Sequence, residues 1–446
     1  MLYKFVLRPY QIRAKYRRYP NVYMSNQFTL WKGDMVEVEK NVQNNVTRYW
    51  HYAELAVTTG NKYDVYLKFN GPIPMFLILS TKALQDFVKL QPTKIDREAS
   101  YINRLFGKIF PKSFSHELSG DNWNTRRNTA MKTLGINFAS KYIPLLVESI
   151  DACVSSWKPG DTVNFTEEFS KSQFVFTGKT LFGNDFTLTS VDYSYLNKNG
   201  ELETLNMHQI FVRLIVDVYM DYLHPLGTIF PFLNDYSLFP PYSRTYRNIK
   251  ELERGLKEFL SHTKDDQNSY YAKIKNLNLF TEEEMVQDLI LLLFTGTDTN
   301  SHTTASLMYY LGKHPEVKEK CRQEYTKAGI INAQGLQKEK LTMKELEQCE
   351  YAEYVIKETM RLEHVGAETV GYAAYENVEI CGVPIPKGSI LSISLFGMHY
   401  NPEEWHEPLK FIPERFDPES EYYTSPSTGK SRNSLSFVPF SVGKRA

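Results

Sequence analysis

The chain lacks any apolar run long enough to cross a membrane, because a spanning helix needs about 20 consecutive, mostly apolar residues. Its longest uninterrupted apolar stretch is Leu289 to Phe294. The N-terminus also lacks the apolar core of a secretory signal peptide. An excess of charge is missing too, since 52 basic and 52 acidic residues give a formal net charge of zero. This balance argues against nucleic acid as a partner.

Cysteine is scarce in this sequence. The chain contains four cysteines, Cys153, Cys321, Cys349 and Cys381. None forms a C-x-x-C pair, and their spacing does not suggest a disulfide framework. Such usage is typical of a reducing, intracellular compartment. We interpret all four as core or surface thiols rather than as metal ligands.

The organisation of the chain favours one large domain over residues 34–446. No repeat, low-complexity tract or change in composition marks a linker in the 446 residues. Strand patterns occur at Tyr63–Ser80, with a turn at Asn70-Gly71-Pro72, and again at Asn377–Leu395. Helical patterns dominate from Thr81 to Tyr310. The predicted fold class is mainly α with small peripheral β-sheets.

The first 33 residues form a distinct basic and aromatic segment. They contain seven lysines and arginines, several interleaved aromatic residues and no acid. This composition suits a segment at a membrane surface. A solvated basic start of a soluble domain explains it equally well, and the sequence leaves both interpretations open.

A long apolar helix is predicted from Thr281 to Leu311. Thr281 and Glu284 match a capping box at its start, and Gly312 with Pro315 lies where it should stop. Because Met285 to Phe294 is largely apolar, this helix is expected to be central.

The middle of that helix reads Thr295-Gly296-Thr297-Asp298-Thr299. Glycine costs about 1 kcal/mol in a helix interior, and a buried aspartate costs more unless it is paired. The Thr299 hydroxyl is expected to bond back to the carbonyl of Thr295, which bends a helix. An acid and an alcohol at a bend suit a place where a small ligand such as O2 receives protons. The alternative is a core helix with a packing glycine.

Three further motifs carry charge. Glu358-x-x-Arg361 lies in a helix predicted to begin near Thr342, where Thr342 and Glu345 form a second capping-box pattern. Spacing of three residues puts both charges on one helix face. Arg415 lies in Pro413-Glu414-Arg415-Phe416, and Phe440-Ser441-Val442-Gly443-Lys444-Arg445 matches F-x-x-G-x-R. Taken singly, each motif is more often an ordinary surface pair or loop.

The order of the four motifs along the chain resembles the cytochrome P-450 family of heme-thiolate monooxygenases. Other segments of that family are similar to Trp123-x-x-x-Arg127, to the turn Ile385-Pro386-Lys387-Gly388 and to Leu181-Phe182-Gly183, which resembles the family's signature at the end of a helix. The resemblance covers most of the chain. It implies the P-450 fold, heme b (iron protoporphyrin IX) as cofactor, and a reaction that inserts one atom of O2 into an apolar organic substrate.

The resemblance also implies roles for particular residues. Asp298 and Thr299 would be the acid–alcohol pair that relays protons, while Thr295 and Gly296 would line the groove over the heme. Phe440 would shield the sulfur ligand, and Gly443 would allow a tight turn beneath the heme. Two further groups follow: a buried triad behind the heme (Glu358, Arg361 and Arg415) and contacts to the heme propionates (Trp123, Arg127 and Arg445).

Three departures from the family pattern stand out. The cysteine that would ligate the iron is expected at the position after Ala446, so the chain to Ala446 contains no metal ligand and is expected to lack activity by itself. The proline usual after the E-x-x-R helix is replaced by Leu-Glu-His-Val-Gly-Ala. Tyr372 stands near a position where the family often has a basic propionate contact.

Partners and location follow only from the resemblance. It implies an NADPH-dependent reductase and the cytosolic face of the endoplasmic reticulum membrane, or otherwise the cytoplasm. Substrate specificity is expected around Phe106–Phe114 and Tyr193–Tyr242, although core packing is the favoured explanation for the individual aromatic residues there. The alternatives are a catalytically dead or fragmentary protein that binds apolar ligands, and an isomerase or dehydratase of the same fold. The Asp298-Thr299 pair argues against the isomerase or dehydratase.

Overall fold

The computed structural model describes residues 3–44, 49–97, 112–187, 190–222, 240–262, 269–335, 337–338 and 340–445. The helices are α1 Arg8–Tyr16, α2 Met35–Gln43, α3 Trp50–Thr59, α4 Thr81–Leu90, α5 Asp121–Leu134, α6 Ile136–Val154, α7 Phe165–Phe182, α8 Met207–Tyr222, α9 Pro240–His262, α10 Tyr270–Asn276, α11 Glu282–Lys313, α12 Pro315–Lys327, α13 Met343–Leu346, α14 Glu350–Leu362 and α15 Leu395–His399. The strands are β1 Val22–Tyr23, β2 Val65–Asn70, β3 Ile73–Ile78, β4 Ile95–Arg97, β5 Tyr193–Leu196, β6 Leu202–Leu205, β7 Tyr372–Ala374, β8 Val378–Ile380, β9 Val383–Ile385 and β10 Ile390–Ile393.

The chain divides into two compact units. The first comprises Met1–Asn103, Leu223–Leu233 and Ile356–Ala446, and the second comprises Arg104–Tyr222 and Asn234–Val355. Residues 1–33 belong to the first unit together with the residues that follow them. The separate N-terminal segment and the single domain over 34–446 stay predictions.

The first unit is built on a six-stranded sheet in the order β1-β2-β3-β10-β7-β4. Strands β2 and β3 pair antiparallel around Gly71, whose φ of +56° favours glycine. Strand β10 runs parallel to β3 and antiparallel to β7, while β8 and β9 form a separate hairpin. The predicted strand regions at Tyr63–Ser80 and Asn377–Leu395 are therefore confirmed.

The N-terminal segment contributes side chains to the core of the first unit. Tyr16 is buried, and its hydroxyl donates to the carbonyl of Pro384 at 2.5 Å. Arg13 is also buried; it donates to the carbonyl of Ser25 and lies 4.6 Å from the ring centre of Phe28. Part of the basic and aromatic composition is thus explained by internal packing. Among the described helices, none is long and apolar enough to cross a membrane.

The second unit is helical around α11. The predicted capping box forms: Thr281 Oγ1 accepts from the Glu284 amide, and the Glu284 carboxylate accepts from the Thr281 amide. The predicted end of α7 is also confirmed, at Gly183 with a φ of +97°. Phe211 of α8 is buried against the rings of Phe174 and Phe294, as core packing requires.

One predicted boundary is wrong. The capping box at Thr342 and Glu345 exists, but it caps the four-residue helix α13 instead of the helix that carries Glu358. That helix, α14, begins at Glu350, and the amides of Tyr351 and Ala352 at its start donate to the Glu324 carboxylate. A side chain distant in sequence therefore satisfies the amides at the start of this helix, and no local sequence pattern predicts it.

Candidate functional site

The strongest charged site lies around Glu358, Arg361 and Arg415, all of which are 0% exposed. Glu358 accepts two hydrogen bonds from Arg361, from Nε and Nη2, each at 2.8 Å. Arg415 Nε donates to the same carboxylate at 3.0 Å, and the amide of Ile412 donates at 2.9 Å. The structure therefore brings the three predicted residues together as one buried, hydrogen-bonded triad.

Backbone carbonyls complete the surroundings of the triad. Arg361 donates to the carbonyls of His399, Pro408 and Lys410, and Arg415 donates to those of His406 and Glu407. Burial lowers the pKa of Arg415, while Glu358 opposes this shift. Two cations around one carboxylate are tolerated here because planar guanidiniums donate several bonds each. The triad fixes the loop from His406 to Arg415 against helix α14.

The predicted acid–alcohol pair lies in the middle of α11. Thr299 Oγ1 donates to the carbonyl of Thr295 at 2.7 Å, as the sequence predicts. Burial raises the pKa of Asp298, and the nearby His302 opposes the shift. His302 Nδ1 lies 2.8 Å from the backbone carbonyl oxygen of Asp298 and 3.5 Å from its Oδ1, and the imidazole is 50% exposed. Asp298 is thus a partly buried acid with a half-exposed imidazole close by.

Gly296 allows close packing of two helices. A β-carbon at this position would lie 2.9 Å from Thr177 Cγ2 and 3.2 Å from Thr177 Oγ1 on α7. The structure therefore supports the alternative interpretation of Gly296 as a packing glycine. Contacts of Gly296 and Thr295 with heme stay a prediction.

Helix α5 carries the predicted propionate contacts Trp123 and Arg127. Trp123 is 4% exposed, and the Arg127 guanidinium lies 5.7 Å from its ring centre. Such a cation–π contact helps to orient the guanidinium. The contacts of Trp123 and Arg127 with heme propionates stay a prediction.

The C-terminal residues place the F-x-x-G-x-R motif in the first unit. Gly443 has a φ of +89°, and a β-carbon there would lie 2.3 Å from Gln91 Oε1, so only glycine fits. Arg445 Nε donates to Asp96 Oδ1 at 3.0 Å, with only 3% of its side chain exposed. Phe440 is 76% exposed. The shielding role of Phe440 and the propionate role of Arg445 stay predictions.

Arg97 is a candidate residue that the sequence analysis missed. Its guanidinium lies 5.1 Å from the ring centre of Tyr372, next to Asp96 and Arg445. Burial lowers the pKa of Arg97, and Nε has no hydrogen-bond partner among the described residues. The sequence signal for this residue was that Tyr372 stands where the family often has a basic propionate contact. No motif or spacing connects Arg97 with Tyr372 in the sequence.

The chemistry of this cluster fits the carboxylates of heme. Asp96 Oδ1 accepts from the backbone amide of Arg97 and from Arg445 Nε. Burial lowers the pKa of Arg445, and the nearby charge of Arg97 lowers it further. A buried guanidinium with an unused donor favours a planar carboxylate. The residues present therefore fit a group that brings negatively charged propionates.

The described part of the chain offers no metal centre that competes with this interpretation. Among the described residues, no group of three or more histidines, cysteines, aspartates or glutamates has the arrangement of a metal site. The four cysteines are unpaired and buried or partly buried, and burial raises the pKa of Cys321 to about 11. A high thiol pKa disfavours the thiolate that metals bind. Residues 98–111 and 223–239, which include much of the predicted specificity region, lie outside the described residues.

Comparisons with known proteins give a consistent result. The sequence profile of the cytochrome P450 family matches residues 33–446. Cytochrome P450 4F5 of Rattus norvegicus is 27% identical over 407 residues, which cover 86% of this chain and 73% of the relative. Cytochrome P450 3A28 of Bos taurus is 27% identical over 84% of this chain and 72% of the relative. Leukotriene-B4 omega-hydroxylase 3 of Mus musculus is 26% identical over 345 residues, which cover 73% of this chain and 62% of the relative.

A solved structure supports the fold. Retinoic acid bound cyanobacterial CYP120A1 aligns with a TM-score of 0.68 and 17% identity, covering 94% of this chain and 85% of that chain. The mainly helical fold with small sheets is therefore the P450 fold. Heme iron as cofactor and monooxygenation as general chemistry follow from the family match. The chain belongs to the cytochrome P450 family.

Proposed function

We propose that the protein uses heme b to insert one oxygen atom of O2 into an apolar organic substrate, with electrons from an NADPH-dependent reductase. The observation that carries the proposal is the partly buried Asp298 next to Thr299 on α11 in a chain of this family. Two similar proteins carry the names of apolar ligands, leukotriene B4 and retinoic acid, which supports the substrate class.

Bound heme iron would supply the activation of dioxygen, and the protein would supply orientation and protons. Burial raises the pKa of the Asp298 carboxyl, which favours proton uptake relative to an exposed aspartate, and Asp298 would pass protons toward dioxygen. The Thr299 hydroxyl donates to the carbonyl of Thr295, so its oxygen lone pairs are free to accept from a neighbouring donor.

The propionates would be held by cations from this chain. Arg97 and Arg445, which lie together in the first unit, would bind propionate carboxylates. Trp123 and Arg127 on α5 are the further contacts that the family resemblance implies. The triad of Glu358, Arg361 and Arg415 would act indirectly, by fixing the backbone behind the cofactor.

A membrane surface, on the cytosolic face of the endoplasmic reticulum, is the proposed location. Tyr3, Leu7, Tyr10 and Trp31 expose between 50% and 70% of their surface in the N-terminal segment. Arg17 and Arg18 are exposed nearby, while Arg13 is occupied inside the unit. Exposed aromatics beside cations suit anionic lipid headgroups. Binding to vesicles that contain phosphatidylserine should weaken as salt increases; binding that salt does not change would contradict this location.

The function is tested by isotope labelling. The heme-loaded protein, supplied with NADPH, a reductase and an apolar substrate under 18O2, should give a product that contains one labelled oxygen atom. A product without label would instead indicate the isomerase or dehydratase. Ligand binding without any turnover would favour the non-enzyme alternative, which the family match does not favour.

A further inference from the structure

His399 is a buried histidine that the proposed function does not use. It is the last residue of α15 and is 0% exposed. Its Nε2 atom lies 3.0 Å from the backbone nitrogen of Val438 and accepts the hydrogen bond from that amide. Val438 is itself only 4% exposed, so its amide has no access to bulk water as a substitute.

The imidazole of His399 is held in the form that accepts this bond. Nε2 accepts from Val438 only in the neutral tautomer that carries its proton on Nδ1. Burial lowers the pKa of His399 well below its usual range, and the neighbouring His364 and Arg361 lower it further. The acceptor is therefore maintained at neutral pH.

His399 also connects to the buried triad. Its backbone carbonyl accepts from Arg361 Nη1 at 2.8 Å. The ring of Phe437 lies 5.4 Å from the His399 ring, so two consecutive residues of the C-terminal segment contact this histidine. Through its two ends, His399 joins the Glu358–Arg361 pair to the residues just before Phe440.

Val438 is the last amide donor before the F-x-x-G-x-R motif. Pro439 follows it and has no N–H, so the backbone cannot donate again until Phe440. The bond to His399 therefore fixes the point from which Phe440 to Arg445 extend. An amide so close to the motif controls the direction of the whole segment.

We infer that His399 is a positioning residue: its imidazole holds the Val438 amide and thereby sets the segment Phe440–Arg445 in place for heme. The consequence for heme rests on the proposed function, but the contact itself does not. His364, whose ring centre lies 5.3 Å from that of His399, packs against the same imidazole.

The first test is amide hydrogen exchange in the chain as it is. His399→Leu leaves the buried Val438 amide without an acceptor, so exchange at Val438 should increase roughly tenfold to a hundredfold. His399→Gln offers a carbonyl oxygen at similar reach and should restore most of the protection. The amides of β10 report global opening and should change little in either variant.

The matched control is His364→Leu, which removes a neighbouring buried imidazole without touching the Val438 bond. After normalisation to the β10 amides, the exchange rate at Val438 in this control should stay within a factor of about two to three of the rate in the parent. Equal exchange at Val438 in His399→Leu and the parent would overturn the inference. So would exchange that increases equally throughout the first unit in His399→Leu and His399→Gln.

The second test uses hemin as the probe. Soret titration should show weaker hemin binding for His399→Leu than for His399→Gln and His364→Leu. Equal hemin affinity in all three variants, with Val438 selectively exposed in His399→Leu, would overturn the positioning role toward heme. Failure of the parent itself to bind hemin would contradict the proposed function, and it would leave the exchange result intact.

Discussion

Replacement of Glu358 by alanine should remove the central carboxylate of the first unit. Glu358 accepts four hydrogen bonds, two from Arg361, one from Arg415 and one from the Ile412 amide. The variant leaves two guanidiniums buried without their shared anion. All three side chains are 0% exposed, so water does not compensate in the folded state.

The expected loss can be worked from these contacts. Removal of one partner from a buried ion pair costs about 3–5 kcal/mol. The Ile412 amide, left without its acceptor, adds about 1–3 kcal/mol. A total of about 4–8 kcal/mol is comparable with the whole free energy of unfolding of a typical domain, which is about 5–15 kcal/mol. We therefore expect Glu358→Ala to abolish heme incorporation instead of only slowing turnover.

The assay is the ratio of Soret to protein absorbance after purification, together with urea unfolding. Glu379→Ala is the matched control, because Glu379 is an exposed glutamate of the first unit on strand β8. The control should keep its heme content and lose no more than about 0.5 kcal/mol. A stable Glu358→Ala protein with the heme content of the parent would show that the triad is peripheral and refute the argument.

Three other variants test separate parts of the structure. Thr299→Ala should keep heme but reduce the amount of product formed per NADPH consumed. Thr303→Ala, which removes the same kind of back-bonded hydroxyl one turn later, should leave that ratio unchanged. An equal ratio in the two variants would contradict the proton relay. Gly296→Ala should destabilise by about 1–3 kcal/mol in urea unfolding, because its β-carbon meets a packed helix. Adding Thr177→Ala to Gly296→Ala should restore the free energy of unfolding. If it does not, the β-carbon at position 296 does not act through its contact with Thr177. Burial lowers the pKa of His364 to about 4, so unfolding takes up a proton below about pH 6.5 and stability is lost as the pH falls. Between pH 7.5 and pH 4, the free energy of unfolding should therefore fall by up to about 3 kcal/mol less in His364→Gln than in the parent, as measured by urea unfolding. If the free energy of unfolding fell equally with pH in both proteins, the lowered pKa of His364 would be contradicted.

The local features of the fold follow from the sequence. The capping box at Thr281 and Glu284, the tight turn at Gly71 and the helix end at Gly183 are each set by residues within a few positions. In such signals a nearby side chain satisfies free backbone groups, or a glycine adopts a positive φ. Neither depends on the tertiary context. The bond from Thr299 to the carbonyl of Thr295 belongs to the same class.

The error at Thr342 shows the limit of local signals. The capping box there is real, but a short helix is all that it starts. Whether a helix continues depends on what packs against it, because isolated helices of this length are unstable. The start of α14 is set instead by Glu324, a residue 27 positions from Tyr351.

The sequence by itself determined the family motifs, their order and the faces on which their side chains lie. Spacing put Glu358 and Arg361 together on one helix face, but it left an exposed pair and a buried triad equally possible. The tertiary structure decided in favour of the triad by bringing Arg415 to Glu358 across 57 positions. It likewise brought Arg97 to Tyr372 and the Val438 amide to His399. Such contacts join distant parts of the chain, and their stability comes from burial that only the assembled unit provides.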